Sequence, residues 1–205
     1  MRCEVLLFDG FDELDALAPW EVLSSFADVR DDVDCALVSL DGSATVRAAH
    51  GTLVTPHRAL SDAVDVLVVP GGGWNDRAED GAWAQAQLGA IPRAIRERHE
   101  RGALVASVCT GAMLLAAAGL VEGRHAITHH GALADLEAAG AHVVRARVVD
   151  DGEIVTAGGV TSGLDLALHL AERLFGSDAA LAAERELEYE RRGTVWRASG
   201  RLSQV

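Results

Sequence analysis

The sequence predicts an α/β fold, a mostly parallel sheet with helices on both faces. Short apolar runs alternate along the chain with segments that carry apolar residues at helical spacing. The runs are almost continuously apolar instead of alternating with polar residues, as in strands buried on both faces. With 205 residues, 49% of them hydrophobic, the chain can bury one large core. It is read as a single domain over 1–205.

In order, CEVLLF (3–8) is a first buried strand closed by Asp9-Gly10. PWEVLSSF (19–26) is a helix, with Pro19 at a first helical position. DCALVSL (34–40) is a second strand ending at the Asp41-Gly42 turn, and DVLVV (65–69) a third that stops at Pro70 and a glycine triplet. Residues 83–102 are helical, with Pro92 expected to kink or divide them. ALVASV (103–108) is a strand running into Cys109-Thr110-Gly111 and a further helix. Residues 142–159 suggest a hairpin turning at Asp151-Gly152. Helices over 164–176 and 178–191 close the chain, with an extended tail from about 193 and RASGRLSQV frayed.

Ligands of open parallel sheets bind beyond the carboxyl ends of the strands. That rule gathers DGFDELD, the Gly71–Gly73 turn and Cys109 at one edge. Cys109 has two readings. Free cysteine often fills core space, but a strand, the thiol, then Gly111 and Ala112 is also the pattern of a nucleophile elbow. In the second reading the following helix favours a thiolate. Asp15, flanked by Leu14 and Leu17, is either a helix cap or a carboxyl in apolar surroundings with a raised pKa, suited to moving protons. Gly72 and Gly73 make a turn or present amides to developing negative charge. His129 either orients Cys109 or is an ordinary capping or surface histidine. Thr161, before the helix at 164–176, belongs to the scaffold or touches ligand.

Composition excludes other chemistries. A net charge of −13 opposes binding to nucleic acid or anionic membranes. No run approaches bilayer length and no leader is evident, so a cytoplasmic protein is expected. The three cysteines, Cys3, Cys35 and Cys109, suit free thiols. All 18 basic residues are arginine, so a lysine Schiff base is impossible. His129 and His130 lack further ligands at metal spacing, and no metal is expected.

Taken together, FDELDALAPWEV, DVLVVPGGG, ASVCTGAMLLAAAGLVEGRHAITHH, VVDDGEIVTAGGVTSGLDLALHLAERLFG and, more loosely, ERELEYERRG resemble the ThiJ/PfpI superfamily and its isonitrile hydratase branch. The resemblance implies a flavodoxin-like α/β sandwich, a homodimer, a small-molecule substrate and no cofactor. It implies that Cys109 is the nucleophile on the elbow, that Thr110 follows it, and that Asp15 stands where most members have glutamate. It places Gly72 at the oxyanion-hole glycine and His129 at a histidine that is catalytic in other branches. Ala18 and His130 depart from the branch pattern, which has glycine and tryptophan there. The activity implied is hydration of an isonitrile to an N-substituted formamide. The alternatives are a cofactor-independent glyoxalase or hydrolase, and a non-enzymatic redox-responsive module. Some relatives carry a DNA-binding extension, but this chain ends soon after EYERRG, so direct DNA contact is not expected.

Overall fold

Along the chain, β1 (Arg2–Leu6) leads through α1 (Glu13–Ala27) to β2 (Asp34–Ser39), a hairpin of β3 (Val46–Arg47) and β4 (Leu53–Val54), and β5 (Arg58–Ala59). Next come β6 (Val66–Val69), α2 (Ala82–Leu88), α3 (Ala90–Glu100), β7 (Leu104–Val108) and α4 (Gly111–Ala117). The chain continues with β8 (His125–Ala126), α5 (Leu133–Ala138), β9 (His142–Val143), β10 (Val148–Asp150), β11 (Ile154–Ala157), α6 (Ser162–Phe175), α7 (Ser177–Glu186) and β12 (Trp196–Arg197). This computed structural model describes residues 1–42 and 45–198.

Eight strands form the central sheet in the order β12-β10-β11-β7-β6-β1-β2-β5. From β11 to β5 every pairing is parallel, while β10 runs antiparallel to β11. The apolar runs of β6 and β11 are buried along their whole length. Helices α1, α6 and α7 pack as one group and α2 to α5 as another, which covers both faces. The predicted α/β class is therefore the observed one. Because β1 pairs with β2 on one side and β6 on the other, the chain reverses its order across β1, the point at which ligands of such sheets bind beyond the carboxyl ends of the strands. Among the described residues, no helix is long and apolar enough to cross a membrane.

Several boundaries differ from the sequence reading. Helix α1 starts at Glu13, six residues before Pro19, because Asp12 caps it by accepting the Leu14 N–H. Pro19 is thus inside the helix, where it cannot donate to the Asp15 carbonyl. Its ring packs where α6 brings Gly163 close: a Cβ there would lie 3.3 Å from the proline ring and 3.5 Å from Val108. The helix expected over 83–102 divides at left-handed Gly89, not at Pro92, which occupies the first turn of α3, where a missing N–H costs nothing. The expected hairpin narrows to β10 and β11, since β9 pairs with β8 instead. Trp196 and Arg197, read as an extended tail running into a frayed end, pair with β10 as an edge strand. The rest of that end, 199–205, lies outside the described residues.

A buried carboxylate fastens this last strand. Asp165 on α6 accepts from Arg147 Nε at 2.7 Å, from the Tyr189 hydroxyl at 3.2 Å and from the Arg192 amide at 2.6 Å. Asp165→Ala leaves the Arg147 guanidinium and a backbone amide without their acceptor, and is expected to cost about 3 kcal/mol. Denaturant unfolding measures that loss, and limited proteolysis should detect loosening after α7.

Candidate active site

The end of β7 delivers the thiol. Cys109 takes φ 55, a left-handed conformation rare for a residue with a side chain, and is 6% exposed. Its N–H is shared between the carbonyls of Ala157 and Gly158 at the end of neighbouring β11, at 3.1 and 3.0 Å. Its carbonyl accepts the Thr128 hydroxyl at 2.9 Å. The elbow turns into α4 against β6 so closely that a Cβ at Gly111 would lie 2.2 Å from the Val69 carbonyl oxygen. Only glycine fits there, as an elbow requires.

The end of β1 delivers the acid. Asp15, in the first turn of α1, is fully buried; its Oδ2 accepts the Gly71 N–H at 3.0 Å, and among the described residues its Oδ1 has no nitrogen or oxygen partner. Burial, and next the negative charge of Asp12, push its pKa up to about 8, against the pull of the Gly71 amide and the Cys109 thiol. Cys109 responds in kind. Burial, and next the charge of Asp15, push the thiol up to about 12, while the Val160 and Thr110 amides pull it back.

Burial works against the thiolate that the following helix favours. Desolvation outweighs the dipole of α4, which is only seven residues long. Both shifts run towards the protonated forms.

The remaining candidates divide. Thr110 stays at the site: its amide acts on the sulfur and its hydroxyl oxygen accepts the Gly72 N–H at 2.9 Å. The Gly72 amide donates to Thr110, and the Val160 amide is a second backbone group acting on the thiol. Gly73 closes the turn, its carbonyl accepting the Ala78 N–H at 3.1 Å. Thr161 is exposed and accepts from Arg147 Nη2 at 3.2 Å, a scaffold contact.

His129 lies against Gly159, beside the elbow, but among the described residues no hydrogen bond joins it to Cys109. Its Nδ1 accepts the Gly131 N–H at 3.1 Å and lies 3.2 Å from the Asn75 side-chain nitrogen, which leaves the proton of the neutral ring on Nε2. Burial first, then His130, holds its pKa below the usual value. The His130 ring lies against it at a tilt of 40°, with centroids 4.1 Å apart. His129→Asn preserves an acceptor for Gly131 and is expected to lower turnover by less than about tenfold; a general base would cost about 100-fold or more. Steady-state kinetics separates the two. Among the described residues, no three or more His, Cys, Asp or Glu are arranged to hold a metal ion.

The DJ-1/PfpI family model matches residues 1–173. The chain belongs to the DJ-1/PfpI family. Isonitrile hydratase from Pseudomonas putida is 38% identical over 187 residues, 90% of this chain and 76% of that protein. The Parkinson disease protein 7 homolog from Danio rerio is 28% identical over 193 residues, 91% of this chain and 96% of that one. Among solved structures, a THiJ/PfpI family protein from Pseudomonas syringae superposes with a TM-score of 0.82 at 27% identity, over 94% of this chain and 76% of that one. These relatives agree with the flavodoxin-like sandwich of the DJ-1/PfpI family.

Two site residues of this family member escaped the sequence reading. Val160 acts through its backbone, with φ 35 in a β-branched residue, and Thr128 acts through a hydroxyl turned onto the elbow. Neither role has a spacing signature. The glycines before Val160 were the only hint of a second tight turn beside the first.

Proposed function

We propose that the protein hydrates isonitriles to N-substituted formamides, with Cys109 as nucleophile and Asp15 as proton carrier. The observation that carries this reading is the fully buried Asp15 carboxyl beside the buried elbow thiol, an environment that favours the protonated form of each. The terminal carbon of an isonitrile holds a lone pair and must gain a proton before, or as, a nucleophile adds to it. A thiolate alone does not supply that proton; a neutral acid and thiol together do.

In the first step the Asp15 proton passes to the terminal carbon, sulfur bonds to the same carbon, and the thiol proton returns to the carboxylate. The product is a thioformimidate, R–N=CH–S–Cys109. Water then adds across the C=N bond, its oxygen to carbon and its hydrogen to nitrogen. Loss of the C–S bond returns the thiol and releases R–NH–CHO. The Thr110 and Val160 amides would hold negative charge on sulfur as the C–S bond forms and breaks. The identity to the Pseudomonas putida isonitrile hydratase supports the substrate class.

Incubation with a panel of alkyl and aryl isonitriles tests the reading. Formamide should accumulate, and mass spectrometry of quenched protein should find the substrate's mass added at Cys109. A protein that leaves the whole panel unconsumed would sink the proposal.

A further inference from the structure

The peptide between Cys109 and Thr110 has partners at both ends. Its N–H belongs to Thr110 and acts on the sulfur; its C=O belongs to Cys109 and accepts the Thr128 hydroxyl at 2.9 Å. The Ala112 amide also donates to that carbonyl, at a longer 3.4 Å. Thr128 is 1% exposed, so water does not stand in for its hydroxyl.

The segment carrying Thr128 is itself fixed. The Ile127 N–H donates to Thr156 Oγ1 at 2.9 Å within β11, and the Ala126 carbonyl accepts the Val144 N–H at 3.0 Å. A hydrogen bond to the carbonyl oxygen of an amide draws electron density from its nitrogen and strengthens the N–H as a donor. It also fixes the plane in which that N–H points.

We propose that Thr128 is a positioning residue: its hydroxyl sets the direction and strength of the Thr110 amide that holds negative charge on the Cys109 sulfur. This rests on Cys109 being the nucleophile of the reaction above. The role requires the hydroxyl and not the volume of the side chain, which separates it from packing.

Four proteins test it: wild type, Thr128→Ser, Thr128→Val and Thr128→Ala. The readout is the rate at which iodoacetamide alkylates Cys109 between pH 7 and 10, resolved from Cys3 and Cys35 by peptide mass spectrometry. Loss of the hydroxyl should slow Cys109 about tenfold and move its titration to higher pH, with Ser within about twofold of wild type. A rate order that follows the hydroxyl, Thr and Ser above Val and Ala, supports the proposal. Should Thr128→Val not fold, the Ser and Ala pair still decides. Equal rates in Ser and Ala, or an order that follows size, would overturn it. Alkylation needs no isonitrile, so a failure of the hydratase reading and a failure of this one remain distinct. If isonitriles are turned over, the same order should appear in kcat with KM little changed.

Discussion

Replacing Cys109 with alanine is expected to abolish formamide production, by about 10⁴-fold or more, while the fold survives. Alanine occupies φ 55 at the same backbone cost as cysteine and leaves the Thr128 and β11 hydrogen bonds in place. What disappears is the sulfur that the proposed reaction bonds to the isonitrile carbon. Rate measurements with matched circular dichroism spectra check this. In the proposed reaction nucleophile and acid act on one carbon as a unit, so a Cys109→Ala, Asp15→Asn double variant should be no slower than Cys109→Ala alone. A further large loss would mean that the carboxyl drives a route without the thiol.

Asp15→Asn is the second large effect. Asparagine can still accept the Gly71 N–H but has no proton to give, and turnover should fall between about 10²- and 10⁴-fold. In the wild type, activity needs the protonated carboxyl, so kcat should decline as pH rises through about 8. That limb should vanish in the variant.

Stability should move the other way. The carboxyl ionises near 3.8 when unfolded and near 8 when folded. Between these values only the folded state holds the proton, so wild-type stability falls as pH rises from about 4 to 8 and is level above. The penalty at its full extent is of order 5 kcal/mol. The amide of Asp15→Asn does not ionise and escapes it, so the variant should be more stable than wild type at pH 9 and show much less advantage at pH 4. Melting temperatures across that range decide the matter, and an equal shift at both ends would contradict a neutral buried carboxyl.

Much of this site was legible from local pattern. Continuous apolar runs announced the buried strands, and the rule that places ligands at their carboxyl ends brought Asp15 towards Cys109. Non-local terms escaped. The start of α1 was misplaced because Pro19 looked like a first helical residue, while the cap that decides the boundary lies at Asp12. The edge strand at Trp196 exists only through pairing with Val149, far away in the chain. A helix dipole acting on Cys109 can be read from sequence, whereas burial beside an acid from the first helix cannot. Thr128 escaped because a hydroxyl aimed at a carbonyl leaves no periodicity.

Burial that favours the protonated thiol also bears on what the site ignores. Peroxides, quinones and aldehydes in a cell react with thiolates and gain little from a neutral thiol. A cysteine that surrenders its proton only as another proton reaches the incoming carbon is selective through chemistry as well as shape. Hydrogen peroxide should therefore oxidise Cys109 slowly below pH 8, and isonitrile turnover should persist at peroxide doses that inactivate enzymes built on a resting thiolate.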